Sequence, residues 1–212
     1  ALLQNKLLLG LLFTLTLAAF LGIILQLVIA FRKKMVATEG IIREMAITDE
    51  LTKLKNRRFL RTRLEEELDR ASRYGHPLAC IFFDVDHFKQ VNDTYGHEAG
   101  DMVLRTVGTT AQEQGRQTDI LGRYGGEEFL MILPETDLEQ AVAMAERLRQ
   151  AIENQTSVAG QHQIRVTATF GVTCYSPGTT AAQPDLSDLI KQADTAMLEA
   201  KKAGRNRVGI AK

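Results

Sequence analysis

The sequence predicts an α/β (α+β) domain, in which helices flank a mostly antiparallel central sheet, preceded by one transmembrane helix. Residues 7–31 contain no charged side chain, whereas helical and strand-like hydrophobic patterns alternate from residue 48 onward. A Gly-Gly pair at positions 125 and 126 separates two strand-like segments, which is typical of a β-hairpin. Alternating elements of this kind form layers of helices packed on a sheet.

The 25 uncharged residues from 7 to 31 are long enough to cross a bilayer as a helix, so we expect residues 1–31 to anchor the chain in a membrane. Arg32, Lys33 and Lys34 follow directly and predict that everything downstream is cytoplasmic. A cleaved signal peptide fits less well, because the segment is long and no small-residue cleavage site follows it. A buried hydrophobic helix is the other alternative.

Residues 32–47 form a connector between the two parts. Its apolar residues recur at roughly helical spacing, which favours a helix that pairs with its copy in a dimer. Gly40 weakens that interpretation, and a solvated linker remains the alternative.

The pattern predicts each element of the domain at residues 48–212. Leu60, Leu64 and Leu68 form one stripe of a helix, and the apolar run at 78–83 indicates a strand buried on both faces. Gly204 is a plausible end signal for the last helix. The predicted helices span residues 59–73, 99–114, 138–154 and 186–203. The predicted strands span residues 78–83, 120–124, 127–133, 164–175 and 207–210.

Charge and cysteine content exclude several classes of protein. The 26 basic and 26 acidic residues balance, so no strong positive field attracts nucleic acid, and we expect no nucleic-acid partner. Cys80 and Cys174 are expected to be buried thiols, because a domain of this size needs no disulfide. No Cys/His cluster has the spacing of zinc ligands.

Acidic residues stand where packing does not explain them. Asp84 ends the apolar strand and Asp86 follows two residues later, while Glu127 and Glu128 follow the glycine pair. A carboxylate at the end of a buried strand is costly unless it is paired or binds a cation. If strand and hairpin are neighbours, Asp84 and Glu127 converge and can hold Mg²⁺, which prefers oxygen ligands.

Five strings together identify the chain as similar to the GGDEF family of diguanylate cyclases. Residues 123–129 (RYGGEEF) resemble the family signature in its GGEEF form. The other four strings follow the family order and, with the signature, cover residues 48–212; they are residues 49–58 (DELTKLKNRR), 83–93 (FDVDHFKQVND), 96–101 (GHEAGD) and 200–206 (AKKAGRN). The resemblance implies the family fold, a nucleotidyl-cyclase-like α/β domain.

The resemblance also implies a metal site and catalytic residues. It assigns Asp84, Glu127 and the Val85 carbonyl to two Mg²⁺ (or Mn²⁺) ions in each active site. Glu128, beside them, is the residue expected to assist deprotonation, so Asp84, Glu127 and Glu128 form the expected catalytic set.

The remaining implied roles concern the substrate GTP. Asn92 and Asp101 are expected to read the guanine edge, to which an amide and a carboxylate are complementary. Lys201 and Arg205, four apart on one predicted helix face, are expected to neutralise the triphosphate. The full implied substrate set is Lys89, Asn92, Asp101, Gly125, Gly126, Lys201 and Arg205.

The implied reaction condenses two GTP into cyclic di-GMP and two pyrophosphates. Each domain holds one GTP, so a homodimer is expected, with the connector aligning its two domains. For a member of this family, the expected location is the bacterial inner (cell) membrane with the catalytic domain in the cytoplasm.

Residues 116–119 match the family's RxxD inhibitory motif at the expected distance before Gly125. Arginine pairs bidentately with phosphate or a guanine edge, which suits binding of the product cyclic di-GMP. Arg116 and Asp119 are therefore the expected inhibitory site, and Arg147 on the next helix is a candidate third member. A surface salt bridge is the alternative for such a common string.

Other functions fit less well. A catalytically inactive GGDEF-like module that senses GTP or cyclic di-GMP is the main alternative, but Asp84 and the Gly-Gly-Glu-Glu string are intact. An enzyme making mixed cyclic dinucleotides is expected to carry a smaller residue than Asp101. A purely structural dimerisation module leaves the guanine and metal positions unexplained.

Overall fold

The structure, a computed structural model, describes residues 22, 25–29, 31–33, 47–178 and 184–211. The chain divides into two units, residues 1–46 and residues 47–212. In the first unit the described residues are helical and exposed. Most of the predicted membrane segment, and the connector apart from residues 32, 33 and 47, lies outside the described residues. Within the described part of the chain, no helix is both long and apolar enough to cross a membrane.

The second unit contains five helices and eight strands within the described ranges. The helices are α1 (Arg57–Tyr74), α2 (Phe88–Tyr95), α3 (His97–Gln114), α4 (Leu138–Asn154) and α5 (Leu186–Lys202). The strands are β1 (Lys55–Asn56), β2 (Leu78–Val85), β3 (Ile120–Gly125), β4 (Glu128–Pro134), β5 (Ser157–Ala159), β6 (His162–Ile164), β7 (Ala168–Tyr175) and β8 (Val208–Ile210).

Six strands form one sheet in the order β1-β3-β4-β2-β7-β8. The three central pairings are antiparallel, and the outer pairs β1–β3 and β7–β8 are parallel. The sheet is therefore mixed, with antiparallel pairing predominating as predicted and parallel pairing only at its two edges. Its parallel edge at β8 has a simple cause, since α5 crosses over between β7 and β8 and a helical crossover joins parallel strands.

Helices cover both faces of this sheet, and the alternation of β2 divides the core accordingly. Ile81, Phe83 and Val85 face α2, α3 and α4, whereas Cys80 and Phe82 face α1 and α5. Strand β2 is buried along its whole length, which confirms the prediction of a central strand. Cys80 and Cys174 are free thiols that pack on opposite faces; Cys80 is buried as expected, whereas Cys174 is only partly buried.

The structure differs from the prediction at several places, among them the short strands β1 and β5, which the prediction lacks. A short helix, α2, fills residues left unassigned, and the predicted strand at 164–175 is two strands, β6 and β7, separated by residues 165–167. The two strands belong to different sheets, because β6 pairs with β5 in a two-stranded sheet whereas β7 pairs with β2. The hydrogen bond from the Asp86 amide to the Thr167 carbonyl (2.8 Å) continues the register of the β2–β7 pairing. The last helix ends at Lys202, where the Arg205 amide bonds back to the Ala200 carbonyl (3.2 Å).

Helix α5 approaches β7 closely at Gly171. A Cβ atom added there overlaps the Ala193 carbonyl oxygen and the Met197 backbone nitrogen, both in α5. The obstructing atoms belong to the helix backbone and cannot rotate away. Gly171 therefore sets the distance of α5 from the sheet, and with it the position of side chains at the end of that helix.

We expect Gly171→Ala to lower the free energy of unfolding by about 1–3 kcal/mol, because overpacking forces α5 away from β7. Urea unfolding of the two proteins measures this difference. Gly108→Ala on α3 is the control, since there the added methyl meets the flexible Leu54 side chain at 3.1 Å. Equal midpoints for Gly171→Ala and the unmodified protein contradict the packing argument.

Candidate active site

Two carboxylates lie side by side at the end of the sheet. Asp84, near the end of β2, is paired in register with Glu128 of β4 on one side and with Thr169 of β7 on the other. Phe82 and Leu130, two residues along each strand, face α1 and α5, and because side chains alternate along a strand, Asp84 and Glu128 face the same layer. Directly opposed residues on one face have Cβ atoms roughly 5 Å apart, so these acidic groups interact strongly.

Lys201 partly balances this pair. Its Nζ lies 2.6 Å from Asp84 Oδ1, and it comes from the last turn of α5. Burial raises the pKa of Asp84; the hydrogen bond and charge of Lys201 lower it, and the charges of Glu127 and Asp86 raise it again. The result is a pKa above 3.8, the ordinary value, so one lysine does not fully compensate the negative charge.

The pKa of Glu128 is also raised. Burial, then the charge of Asp84 and that of Asp194, raise its pKa above the ordinary value of 4.5, against the opposing effect of Lys201. Asp194 was missed from the sequence. The sequence contains one signal for Asp194. It is seven residues before Lys201, and residues seven apart lie on the same side of a helix.

The glycine turn holds Glu127 next to this pair. The turn is shifted by one residue from the prediction, because an irregularity between Arg123 and Gly125 keeps Gly125 in β3 and leaves Gly126 and Glu127 as the connection to β4. Gly126 has φ +45°, in the left-handed region that favours glycine. The Glu127 carbonyl accepts a hydrogen bond from the Val85 amide (3.3 Å), which attaches the turn to the end of β2.

The Arg123 side chain holds the turn in place. Its Nε donates to the Gly126 carbonyl (2.8 Å), and its guanidinium forms an ion pair with Asp49 (3.2 Å). Burial raises the pKa of Asp49, but hydrogen bonds from Thr52 and the charge of Arg123 outweigh it and hold the pKa below 3.8. Asp49, the first residue of the string at 49–58, therefore contacts the turn through Arg123. The sequence alone does not show this contact between distant motifs.

The two predicted guanine-reading residues lie on adjacent helices. Asn92 is in α2 and Asp101 in α3, and each is partly buried. A Cβ atom added to Gly100 overlaps Asn92 Oδ1, so the Asn92 amide lies directly against the backbone next to Asp101. Lys89, one turn before Asn92, is exposed at the start of α2.

Arg205 does not share a helix face with Lys201, contrary to the prediction. Helix α5 ends at Lys202, and Arg205 lies in the following loop with φ +60°. Its side chain is exposed. The predicted helical pairing fails because the chain reverses at Gly204, which has φ +120°.

The three predicted inhibitory residues are close to one another but far along β3 from the carboxylates. The Arg116 amide donates to Asp119 Oδ2 (2.7 Å), which closes a turn between α3 and β3. Arg147 of α4 donates to the Gln114 carbonyl (3.2 Å), so its guanidinium reaches the same turn. This turn and Gly125 stand at opposite ends of β3.

Asp84, Glu127 and the Val85 carbonyl have the chemistry of a Mg²⁺ site. They supply oxygen donors only, and Asp84 is destabilised by the neighbouring Glu127 charge. In the part of the chain that the structure describes, no three His, Cys, Asp or Glu side chains form a complete metal cage. A site with few protein ligands fits Mg²⁺, which keeps positions for water and substrate phosphates.

We expect Glu128→Gln to stabilise the fold at neutral pH. Because the folded-state pKa of Glu128 is raised, its stabilising contribution is present below 4.5 and is lost as pH rises through the folded-state pKa. Removing the charge should raise the free energy of unfolding near neutral pH by roughly 0.2–1 kcal/mol, the range for a cross-strand charge pair. Urea unfolding near pH 7 and below about pH 4 tests this, since the ordinary carboxyl pKa lies between them. A gain of equal size at both pH values contradicts the electrostatic cause.

Known proteins resemble the second unit throughout. A family model described as diguanylate cyclase, GGDEF domain, matches residues 46–207. The response regulator PleD of Caulobacter vibrioides is 39% identical over 168 residues, which are 78% of this chain and 36% of PleD. The diguanylate cyclase DgcP of Pseudomonas aeruginosa is 40% identical over 169 residues, 80% of this chain and 24% of DgcP.

A solved structure has the same fold. The coiled coil and GGDEF domain of DgcB from Caulobacter crescentus, in complex with c-di-GMP, has a TM-score of 0.79 at 28% identity, covering 86% of this chain and 94% of that one. The chain spans about a third of PleD and a quarter of DgcP. With a family model that matches most of its length, the chain belongs to the GGDEF family of diguanylate cyclase domains.

Proposed function

We propose that this chain is a diguanylate cyclase that condenses two GTP into cyclic di-GMP and two pyrophosphates. The observation that carries the proposal is the pair of opposed carboxylates, Asp84 and Glu128, beneath Lys201 and beside the Gly126 turn. Family membership and the name of DgcP support the same activity. An inactive binding module has no need of the destabilising pair.

The proposed metal ligands are Asp84, Glu127 and the Val85 carbonyl. Two Mg²⁺ (or Mn²⁺) ions for each site are expected, and when bound they stabilise negative charge on the attacking and leaving oxygens. The carboxylates hold the ions, while Lys201 is free to move from Asp84 to the triphosphate. Arg205 and Lys89, both exposed, add positive charge for the phosphates. Asn92 and Asp101 bind the guanine edge, and the absence of a side chain at Gly125 and Gly126 lets phosphates approach the backbone.

In the proposed reaction the 3′-hydroxyl of one GTP attacks the α-phosphorus of the other. A new O–P bond forms, the bond to the β-phosphate oxygen breaks, and pyrophosphate leaves. Glu128 accepts the hydroxyl proton and passes it to solvent. A raised pKa suits this role, because a general base works best when its pKa is near the working pH.

The reaction needs two domains, each holding one GTP, so we infer a homodimer. The connector at residues 32–47 is proposed to pair with its copy, and residues 1–31 to anchor the dimer in the bacterial inner membrane with both catalytic domains in the cytoplasm. The 25-residue uncharged segment and the basic residues after it support this arrangement. The DgcB structure, which includes a coiled coil beside its GGDEF domain, supports a helical connector.

Arg116, Asp119 and Arg147 are proposed to bind cyclic di-GMP and inhibit the enzyme. Arg116 is part of the turn that its amide closes with Asp119, and the Arg147 guanidinium reaches the same turn. Arginine side chains at one turn suit recognition of phosphate or guanine. The DgcB complex shows that a domain of this fold binds c-di-GMP.

The activity is tested by incubating the detergent-solubilised chain with GTP and Mg²⁺ and separating the nucleotides by chromatography. Cyclic di-GMP and pyrophosphate are expected, and Glu128→Gln should lower the rate by at least about a hundredfold, a typical loss for a general base. Glu139→Gln, an exposed glutamate on α4, is the matched control and should keep full activity. If the protein stays silent even when residues 48–212 are fused to a strong dimeriser, yet binds GTP, the inactive sensing module is favoured instead.

Product inhibition is tested by adding cyclic di-GMP to the same assay. Arg116→Ala should raise the inhibitory concentration by about tenfold or more, since a charge-assisted hydrogen bond contributes about 1.5–3 kcal/mol. Turnover without added product should stay unchanged. Arg70→Ala, on α1 at the other face of the sheet, is the control. Unaltered inhibition in Arg116→Ala rules out this site.

A further inference from the structure

Asp86 is acidic and close to the catalytic residues, but its carboxylate accepts hydrogen bonds within a buried cluster. Its side chain is 4% exposed. Its Oδ1 accepts from the Thr169 hydroxyl (2.7 Å) and its Oδ2 from the Thr167 hydroxyl (2.8 Å). The Asn206 amide also donates to Oδ2 (3.1 Å). Asp86 therefore serves as an anchor for the chain near Asn206.

Asn206 is held on its other side by α4. Its Nδ2 donates to Glu153 Oε1 (2.9 Å), and its Oδ1 accepts from the Arg149 guanidinium (2.8 Å). Its backbone is in the left-handed region at φ +46° and follows two further positive-φ residues, Gly204 and Arg205. Asparagine tolerates that conformation, and its amide has both the donor and the acceptor that this position uses.

Arg149 ties the Asn206 side chain to a rigid part of the fold. Its side chain is 14% exposed and forms ion pairs with Glu146 (2.7 Å) and Glu153 (2.8 Å), one turn away on either side. These contacts raise the pKa of Arg149, beginning with the hydrogen bond to Glu146. The guanidinium is thus fixed in place and offers Asn206 a rigid partner.

The loop between α5 and β8 connects this anchor to the proposed phosphate-binding residues. The Gly204 amide bonds to the Lys201 carbonyl (3.3 Å), and the Arg207 carbonyl accepts from the Phe170 amide (2.9 Å). The backbone from Lys201 to Asn206 is therefore short and internally bonded. The end of β2 holds it twice, through Asp84 to Lys201 and through Asp86 to Asn206.

These two links behave differently when substrate binds. Lys201 must leave Asp84 to contact a triphosphate, so the first link is broken in the substrate complex. The link between Asp86 and Asn206 involves neither Lys201 nor Asp84, so it persists in the substrate complex. We propose that Asn206, clamped by Arg149, is a positioning residue that keeps Lys201 and Arg205 at the triphosphate. This inference rests on the proposed function for the identity of the nucleotide.

The test is binding of 3′-deoxy-GTP with Mg²⁺, together with KM and kcat for GTP. The lack of a 3′-hydroxyl prevents condensation, so the Kd is a pure binding measurement. Asn206→Gly and Arg149→Met should each weaken binding by about tenfold, equal to about 1.4 kcal/mol. KM should rise by a similar factor while kcat changes much less. If the two residues act through one contact, the double variant should be little worse than either single variant.

Two controls separate positioning from general damage. Arg63→Met removes ion pairs to Glu66 and Glu67 with the same helical spacing, but on α1, and should leave Kd and KM unchanged. Asn206→Ala adds the strain of a left-handed alanine that Asn206→Gly avoids. If Asn206→Gly is unfolded at the assay temperature, Arg149→Met decides the question, because it leaves the loop sequence intact.

The outcomes are distinct. Affinity for 3′-deoxy-GTP within about twofold of the unmodified protein in both Asn206→Gly and Arg149→Met overturns the inference. A loss in Asn206→Ala alone also overturns it, because backbone strain then explains the effect. An unmodified protein that binds 3′-deoxy-GTP but makes no product from GTP, even when residues 48–212 are fused to a strong dimeriser, overturns the proposed function. The effect of the variants on binding then still supports or rejects the positioning role. If the unmodified protein does not bind it, both proposals fail.

Discussion

Two carboxylates that lie side by side at the end of the central sheet, one buried and one partly buried, impose the main constraint on this domain. Asp84 and Glu128 are opposed across neighbouring strands, and burial is the main cause that raises both pKa values. The charge of Asp84 adds to the rise at Glu128, and the charges of Glu127 and Asp86 add to the rise at Asp84. Their nearest compensation is Lys201, which reaches Asp84 because α5 lies close to β7 over Gly171. Helix α5 therefore does two things: it packs closely on the sheet at Gly171, and it supplies the positive charge that partly neutralises Asp84. The cost in stability is understandable if the pair exists to bind cations rather than to hold the fold together.

Two loops around this pair contain positive-φ backbone conformations. Gly126 in the turn and Gly204, Arg205 and Asn206 after α5 all have positive φ. Each loop is held by side chains from elsewhere in the fold, the turn by Arg123 and the loop after α5 by Asp86 and α4. Such conformations persist only where the surroundings enforce them. The site is therefore built on strained segments with rigid supports, and residues outside the reacting groups become important for its geometry.

The sequence predicts what depends on local pattern. The apolar run of β2, the glycine turn and the four long helices follow from periodicity and composition, and their order brings Asp84 and Glu128 to one edge. The sequence could not show that Asp86 is an anchor, because its partners Thr167, Thr169 and Asn206 are 81, 83 and 120 residues away. Nor could it separate β6 from β7, since β6 pairs with β5 in a second sheet while β7 pairs with β2, more than 80 residues away. The prediction for Arg205 was wrong for a related reason. It assumed that the helix continues past Lys201, whereas α5 ends at Lys202 and Arg205 lies in the loop that follows.

The distance between the carboxylates and the turn at Arg116 limits how product could inhibit the enzyme. Strand β3 separates them, and its five steps from Ile120 to Gly125 span roughly 17 Å. A ligand bound to Arg116 and Arg147 therefore leaves the carboxylates of the same domain uncovered. Inhibition by direct competition with GTP within one domain does not fit this geometry. The proposed inhibition would instead act on the second domain, by holding two domains out of alignment, or through β3 and its paired strand β4, whose first residue is Glu128. In the first case the inhibitory constant depends on the dimer, whereas in the second it is a property of the single domain.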